Sequence, residues 1–289
     1  MSDMTELFYR LAGRIIRVIG PKNRMDCNDS ALRMYAVNPS PWDITLEFAI
    51  VPRLSNADGE LVYSEQTKKI YVSGDTSVRY EGTVSDSLDG AYIRIARKGN
   101  YSHVQIREDS IRESITARLV LNAMEAEHII ATNRGILLHA SYIRYGSKAI
   151  LFTAPSGTGK STQAELWCRY RGAELINGDR SAIMVTERGI QAMGVPFSGS
   201  SGVCKDQTLP LAAIVYLNQN PVTEIQPLMG VNAFRRIWEG CSINVWNRED
   251  VTLSTDTVSA IVENIPVFFL ACTPDESAVV ALENALNMI

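Results

Sequence analysis

Between residues 44 and 51 apolar and polar side chains alternate, with Ile44, Leu46, Phe48 and Ile50 set against Thr45, Glu47 and Ala49. That period of two predicts a strand with one face buried. Short strand-like runs recur at 7–11, 14–19, 69–73, 77–81, 91–97 and 103–106. Asp58-Gly59, Gly74-Asp75, Asp89-Gly90 and Gly99-Asn100 separate them, all residue pairs that favour hairpin turns. The pattern predicts an antiparallel meander, broken by a Pro/Asn/Asp/Ser-rich passage at 21–43. Arg79, Glu81, Arg94, Arg97 and Lys98 read as a solvated sheet face, with a binding face as the alternative.

The period changes near Asp109 or Ser110. Either residue can cap a helix in which Ile111, Ile115, Leu119, Ala123 and Met124 share a face, running to Ala131. This long helix is expected to bridge a β-rich region, 1–110, to an α/β region, 111–289. In the second region strands are expected at 136–144 and 148–153, joined by a tight turn at Gly146-Ser147, and a helix at 160–169. A strand at 174–179 ends in a carboxylate, and a hairpin at 181–193 turns at Glu187-Arg-Gly189. A small-residue loop at 195–202 and a buried strand at 211–217 follow. Helices at 231–239 and 254–263, a strand at 267–271 and a helix at 274–288 beginning with Pro274 complete the pattern.

Composition narrows the partners. Hydrophobic residues make up 46% and charged residues 21% of the chain, as in an ordinary globular protein. The net charge of −4, with no Lys/Arg block, gives no basic field for nucleic acid. No apolar run approaches the ~18 residues of a membrane span, and the first residues carry no signal-peptide pattern, so a cytoplasmic location is expected. Five scattered cysteines show no metal-binding spacing and read as reduced thiols.

The candidate chemistry lies in Leu151-Phe-Thr-Ala-Pro-Ser-Gly-Thr-Gly-Lys-Ser-Thr162, a strand, a small-residue loop and a helix start in the order a phosphate-binding loop needs. Gly157 and Gly159 allow the backbone N–H groups of Ser156, Thr158 and their neighbours to turn around a polyphosphate, and the helix start adds its positive dipole end. Lys160 would reach the β- and γ-phosphates of ATP, with Thr162 completing the loop, and the Ser161 hydroxyl would hold Mg²⁺. The pattern G-x-x-x-x-G-K-[ST] has Ala154 in place of its first glycine, which requires φ below zero there. Asp179, at the end of the strand facing the loop, is a second Mg²⁺ ligand or the base that takes the acceptor proton. Arg180, Lys205 and the turn containing Ser200 are candidates for contacts with phosphate or acceptor.

The run from His139 through Lys160, the segment Leu175-Ile-Asn-Gly-Asp-Arg180, the loop Pro196-Phe-Ser-Gly-Ser-Ser-Gly and the ending Thr273-Pro-Asp-Glu together resemble the HPr kinase/phosphorylase family. That family is related to the phosphoenolpyruvate carboxykinases. The resemblance covers about half the chain, from Gly135 onward, and is closer to the HPr-kinase-like proteins associated with peptide modification than to true HPr kinases. It implies an α/β, carboxykinase-type P-loop kinase domain behind a β-rich N-terminal domain. It also implies a serine hydroxyl on a peptide or small protein as acceptor, while a homo-oligomeric state stays open. His139, twenty-one positions before Lys160, matches the family's histidine on the strand pairing with the one that feeds the loop. Gly178 stands where the family has the first of two aspartates, so the base is Asp179 or His139. A kinase of free serine, and a nucleotide-binding module without catalysis, are the alternatives.

Overall fold

The computed structural model describes residues 3–27, 30–84, 88–111 and 114–288, and of these the side chains of Ser30 and Ser200 are not described. The chain divides into two units, Met1–Glu125 and Ala126–Ile289.

In the first unit the elements are β1 (Met4–Leu11), β2 (Arg14–Pro21), β3 (Met25–Asp26), α1 (Ser30–Arg33), β4 (Ile44–Val51), β5 (Glu60–Glu65), β6 (Lys68–Ser73), β7 (Thr76–Thr83), β8 (Gly90–Lys98), β9 (Tyr101–Arg107), β10 (Ile115–Thr116) and α2 (Ala117–Ala123). Among the described residues one sheet runs in the order β1-β2-β4-β9-β8-β7-β6-β5. From β5 to β9 the pairing is antiparallel, as the hairpin residues predict. The meander fails at β4, which lies between β2 and β9 and runs parallel to both. The passage at 22–43 is long enough for the crossover that parallel pairing needs. Ile16, Val18, Leu46, Phe48, Ile93, Ile95, Val104 and Ile106 form the buried face of this sheet.

Two further expectations are corrected here. The charged residues of β7 and β8 do not all form a solvated face. Arg79 is buried, 3.3 Å from Glu81, and donates to Asn122 O at 2.6 Å, while Arg97 lies 3.1 Å from buried Glu125. The long helix over 110–131 is also not continuous. Residues 115–116 pair with β3, α2 ends at Ala123, and Glu125 takes a φ of 49°, which no α-helix contains. Ile111 and Ile115 are buried outside any helix, so apolar positions four apart did not by themselves specify one.

In the second unit the elements are α3 (Ala126–Thr132), β11 (Gly135–Tyr145), β12 (Lys148–Thr153), α4 (Lys160–Arg171), β13 (Glu174–Asn177), β14 (Arg180–Thr186), β15 (Gly189–Gly194), β16 (Thr208–Gln219), β17 (Glu224–Leu228), α5 (Gly230–Trp238), β18 (Cys241–Ser242), α6 (Arg248–Asn264), β19 (Val267–Cys272) and α7 (Glu276–Leu286). This is mixed α/β structure. The start of β11 pairs with β14 and its later part with β12, while β16 pairs first with β15 and then with β12. The pairings β12–β11–β14–β15–β16–β12 therefore close on themselves.

Strands β12, β16 and β19 are parallel neighbours, so their C-terminal ends open on one edge. Strand β12 is buried on both faces. Ile150 and Phe152 pack in the cluster that holds α4 and α7, and Ala149 and Leu151 in the cluster that holds α5 and α6. Trp167 anchors α4: it is fully buried and meets Tyr145 edge-on at 5.0 Å. Aromatic burial of that kind is worth about 3–5 kcal/mol on truncation to alanine and holds the second half of α4 against β11. The last helix is capped by Asp275, whose side chain accepts Ser277 N–H at 2.8 Å, so Pro274 precedes the cap rather than opening the helix.

Among the described residues no helix is long and apolar enough to cross a membrane. None of the five cysteines, all of them among the described residues, is joined in a disulfide.

Candidate functional site

The loop between β12 and α4 is built by local necessity. Gly157 and Gly159 have φ of 79° and 109°, values closed to most side chains, and a Cβ at either would meet nothing within 4 Å. The space beside both glycines is thus open. Ala154 is not among the residues with positive φ, so the missing first glycine is tolerated. At its base Thr153 Oγ1 donates to His139 O at 2.9 Å and ties β12 to β11. Ser156, Ser161 and Thr162 are exposed, and Thr158 is half-buried.

Lys160 is buried, and its Nζ donates to Ala154 O at 2.9 Å and Pro155 O at 3.2 Å. Burial pulls the ammonium pKa below its ordinary value, and the charge of Asp179 opposes that pull. The lysine is folded onto carbonyls of its own loop, where an incoming phosphate can displace those weaker acceptors.

Asp179 is positioned by a turn. Asn177, fully buried, accepts the backbone N–H groups of Asp179 and Arg180 at 2.9 and 3.0 Å and donates to Val195 O at 2.8 Å. The Asp179 carbonyl accepts Ala140 N–H at 2.9 Å, which fastens this turn beside β11. His139 Nδ1 then lies 3.4 Å from Asp179 Oδ1, and Arg180 Nε lies 3.4 Å from Oδ2. Arg180 also sits 3.9 Å from Glu127 and over the Phe197 ring. The His139 pKa is lowered, first by burial and then by the Lys160 charge, with Asp179 acting in the opposite direction. The imidazole is accordingly neutral through a wider pH range than an ordinary histidine.

Lys160, His139, Asp179 and Arg180 are therefore brought together. Lys205 lies elsewhere, 2.6 Å from Glu174, which also binds Arg144 at 2.6 Å. The Ser200 side chain falls outside the described residues; its backbone lies in the 3-10 turn Gly199–Ser201. That turn presses on the aspartate segment. A Cβ at Gly178 would stand 2.1 Å from Ser201 Oγ, and one at Gly199 would stand 2.6 Å from Asp179 Cβ. No second carboxylate fits at Gly178 unless Ser201 moves.

The donor set suits the cofactors expected from the loop. No group of three or more His, Cys, Asp or Glu able to hold a metal occurs among the described residues. Ser161 and Asp179 offer one hydroxyl and one carboxylate, hard oxygens of the kind Mg²⁺ takes from a protein while keeping phosphate and water ligands.

Asn177 escaped the sequence reading, although Asn two residues before Asp is a recognisable turn signal. Gln219, whose Nε2 lies 3.4 Å from Gly157 O and Thr158 O, carried no such signal.

No family model matches the chain. No curated relative is detected. Among solved structures, the Hpr(Ser) kinase/phosphatase from Coxiella burnetii is similar over 53% of this chain and 92% of that one, at 12% identity and a TM-score of 0.29. A likeness of that size assigns neither activity nor ligand.

Proposed function

We propose that the chain is an ATP-dependent phosphotransferase acting on a serine hydroxyl of a peptide or small protein. One juxtaposition carries the reading: the glycine loop with Lys160 at the end of β12, and beside it the His139–Asp179 pair at 3.4 Å. Phosphoryl transfer asks a protein for charge neutralisation and an oriented hydroxyl, and these residues provide both.

In this reading Lys160 leaves Ala154 O and Pro155 O for the β- and γ-phosphate oxygens, and the N–H groups at the start of α4 cradle the same charge. Mg²⁺, held through Ser161, would supply further neutralisation of the polyphosphate and leave the Asp179 carboxylate to act as the base. Asp179 accepts the proton of the serine hydroxyl as its oxygen bonds to the γ-phosphorus and the bond to the β-phosphate oxygen breaks, releasing ADP. His139, held neutral by burial and by Lys160, orients that hydroxyl. Arg180 offsets the charge gathered around Asp179. Incubation with γ-labelled ATP, Mg²⁺ and serine peptides is expected to label a peptide.

One observation favours a second reading, a nucleotide-binding module without catalysis. Ser201 fills the space a first aspartate would need, leaving a single carboxylate at this point. Tight Mg·ATP binding with no transfer across a broad peptide panel would select it.

A further inference from the structure

The large sheet of the first unit begins at β1 and ends at β5, and the two edges are finished differently. On β1 the segment 35–37 closes the outer edge, with Arg10 N–H donating to Tyr35 O at 2.8 Å and Val37 N–H to Phe8 O at 2.9 Å. In the second unit the outermost strand β17 carries Pro227, which removes a donor from its edge. Strand β5 has neither device. Among the described residues nothing pairs with its outer side, and Glu60-Leu-Val-Tyr-Ser-Glu65 holds no Pro and no Lys. At its centre Leu61 and Val62 are 45% and 38% exposed. Such an edge offers a row of free backbone N–H and C=O groups beside apolar side chains, which is what an added strand uses.

The charges on this strand select what can add. Glu60 pairs in register with Val72 of β6 and Glu65 with Lys68, and Val62 is an extra residue opposite that strand. The bulge therefore puts both glutamates on the same face of the sheet. Lys68 is the register partner of Glu65, yet it is the Tyr63 hydroxyl that the Glu65 carboxylate accepts. Exposed Asp58 adds a third carboxylate just before the strand. A second copy lying antiparallel along the whole of β5 would set Glu60 opposite Glu65 at both ends, a like-charge arrangement that destabilises pairing. The same positions favour Lys or Arg on a different strand.

We propose that the outer edge of β5 is a docking site for an extended basic peptide segment, taken up as an added strand. A Lys or Arg faces each glutamate, and apolar residues lie against Leu61 and Val62. Glu60 and Glu65 are the specificity-determining residues. A regular strand laid along this bulged one brings its two cations four residues apart, as Val72 and Lys68 stand on β6. The inference goes beyond the transferase reading and does not rest on it; its test uses no nucleotide, so either can fail alone.

The test is fluorescence anisotropy on the full chain with three dye-labelled, end-blocked peptides: Lys-Val-Thr-Val-Lys, Glu-Val-Thr-Val-Glu, and the first one N-methylated at its three central residues. The basic peptide is expected to bind about 10-fold or more tighter than the acidic one, since two charge pairs form in one complex and two repulsions in the other. N-methylation removes backbone donors but no charge, and should weaken the basic peptide by about 10-fold, the scale of two lost hydrogen bonds. Glu60→Lys combined with Glu65→Lys, both at exposed positions, should reverse the order so that the acidic peptide binds tighter.

Equal binding of the basic peptide and its N-methylated form overturns strand addition and leaves bulk charge attraction as the cause. An order that survives the double charge reversal overturns the β5 site, as does no binding of any peptide at about 1 mM. A dimer in sedimentation that is lost on Leu61→Lys makes a second copy the occupant and overturns the choice of partner.

Discussion

Two histidine–aspartate pairs in the second unit share their composition and little else. His128 of α3 and Asp250 of α6 meet at 2.7 Å, with the carboxylate 1% exposed and its second oxygen accepting Asn244 Nδ2 at 3.0 Å. That arrangement is closed: it fastens two helices and turns no acceptor toward solvent. His139 and Asp179 stand farther apart, at 3.4 Å, with side chains 35% and 28% exposed. Arg180 lies against the same carboxylate, and the charge of Lys160 acts on both members. The pair by itself is not a sign of chemistry. What sets the second pair apart is incomplete partnering, access and surplus positive charge beside a glycine loop.

The comparison breaks most visibly at Lys160. In the proposed reaction Lys160→Ala removes the main cation for the β- and γ-phosphates, and peptide labelling is then expected to fall by about 10³-fold or more, with much weaker ATP binding. Retention of most activity would remove the loop from the mechanism. Asp179→Asn keeps the shape and the turn set by Asn177 but loses the charge. Labelling should drop by at least ~10²-fold while the thermal midpoint stays near that of the parent chain. A large fall in the midpoint would mean that Asp179 is a structural residue like Asp250.

Asp250→Ala runs the comparison in reverse. It removes a buried carboxylate from the partly buried Asn244 donor and His128 ring nitrogen, which should cost about 1–3 kcal/mol of stability. Thermal unfolding reads that loss. Labelling per folded molecule should not change, and a specific loss of transfer in this variant would erase the distinction between the pairs.

How much of this was legible in the sequence depended on range. The loop could be read because its requirements are local: two glycines with positive φ, a lysine at the helix start and a strand of unbroken apolar residues before it. The position of Asp179 beside His139 was expected only from the resemblance, since it arises from pairing between segments forty residues apart.

Lys205 illustrates the opposite outcome. Nothing near it in the chain announces Glu174, the partner that holds it at 2.6 Å. The insertion of β4 between β2 and β9 was invisible for a related reason: a period of two reports which face is buried and not which strand lies alongside. Strand β5, largely exposed, lacked even that alternation.

The smallest expected effect is also the one that separates the proposed roles of His139 and Asp179. His139→Gln preserves hydrogen bonding but cannot titrate. Burial and the Lys160 charge both disfavour the imidazolium, so the His139 pKa lies below 6.5, and from there upward the ring is neutral. With Asp179 as the base, the rate between pH 6.5 and 8 should be flat in both proteins. The substitution should then cost only several-fold, about 1 kcal/mol of lost hydroxyl positioning, and fall more on the KM for the peptide than on kcat. With His139 as the base, the parent rate would climb with pH through that depressed pKa, and the climb would vanish in the glutamine variant while ATP affinity stayed the same. A pH profile whose acid limb survives His139→Gln therefore assigns the proton to Asp179; loss of the limb assigns it to His139 and makes the aspartate a partner for charge alone.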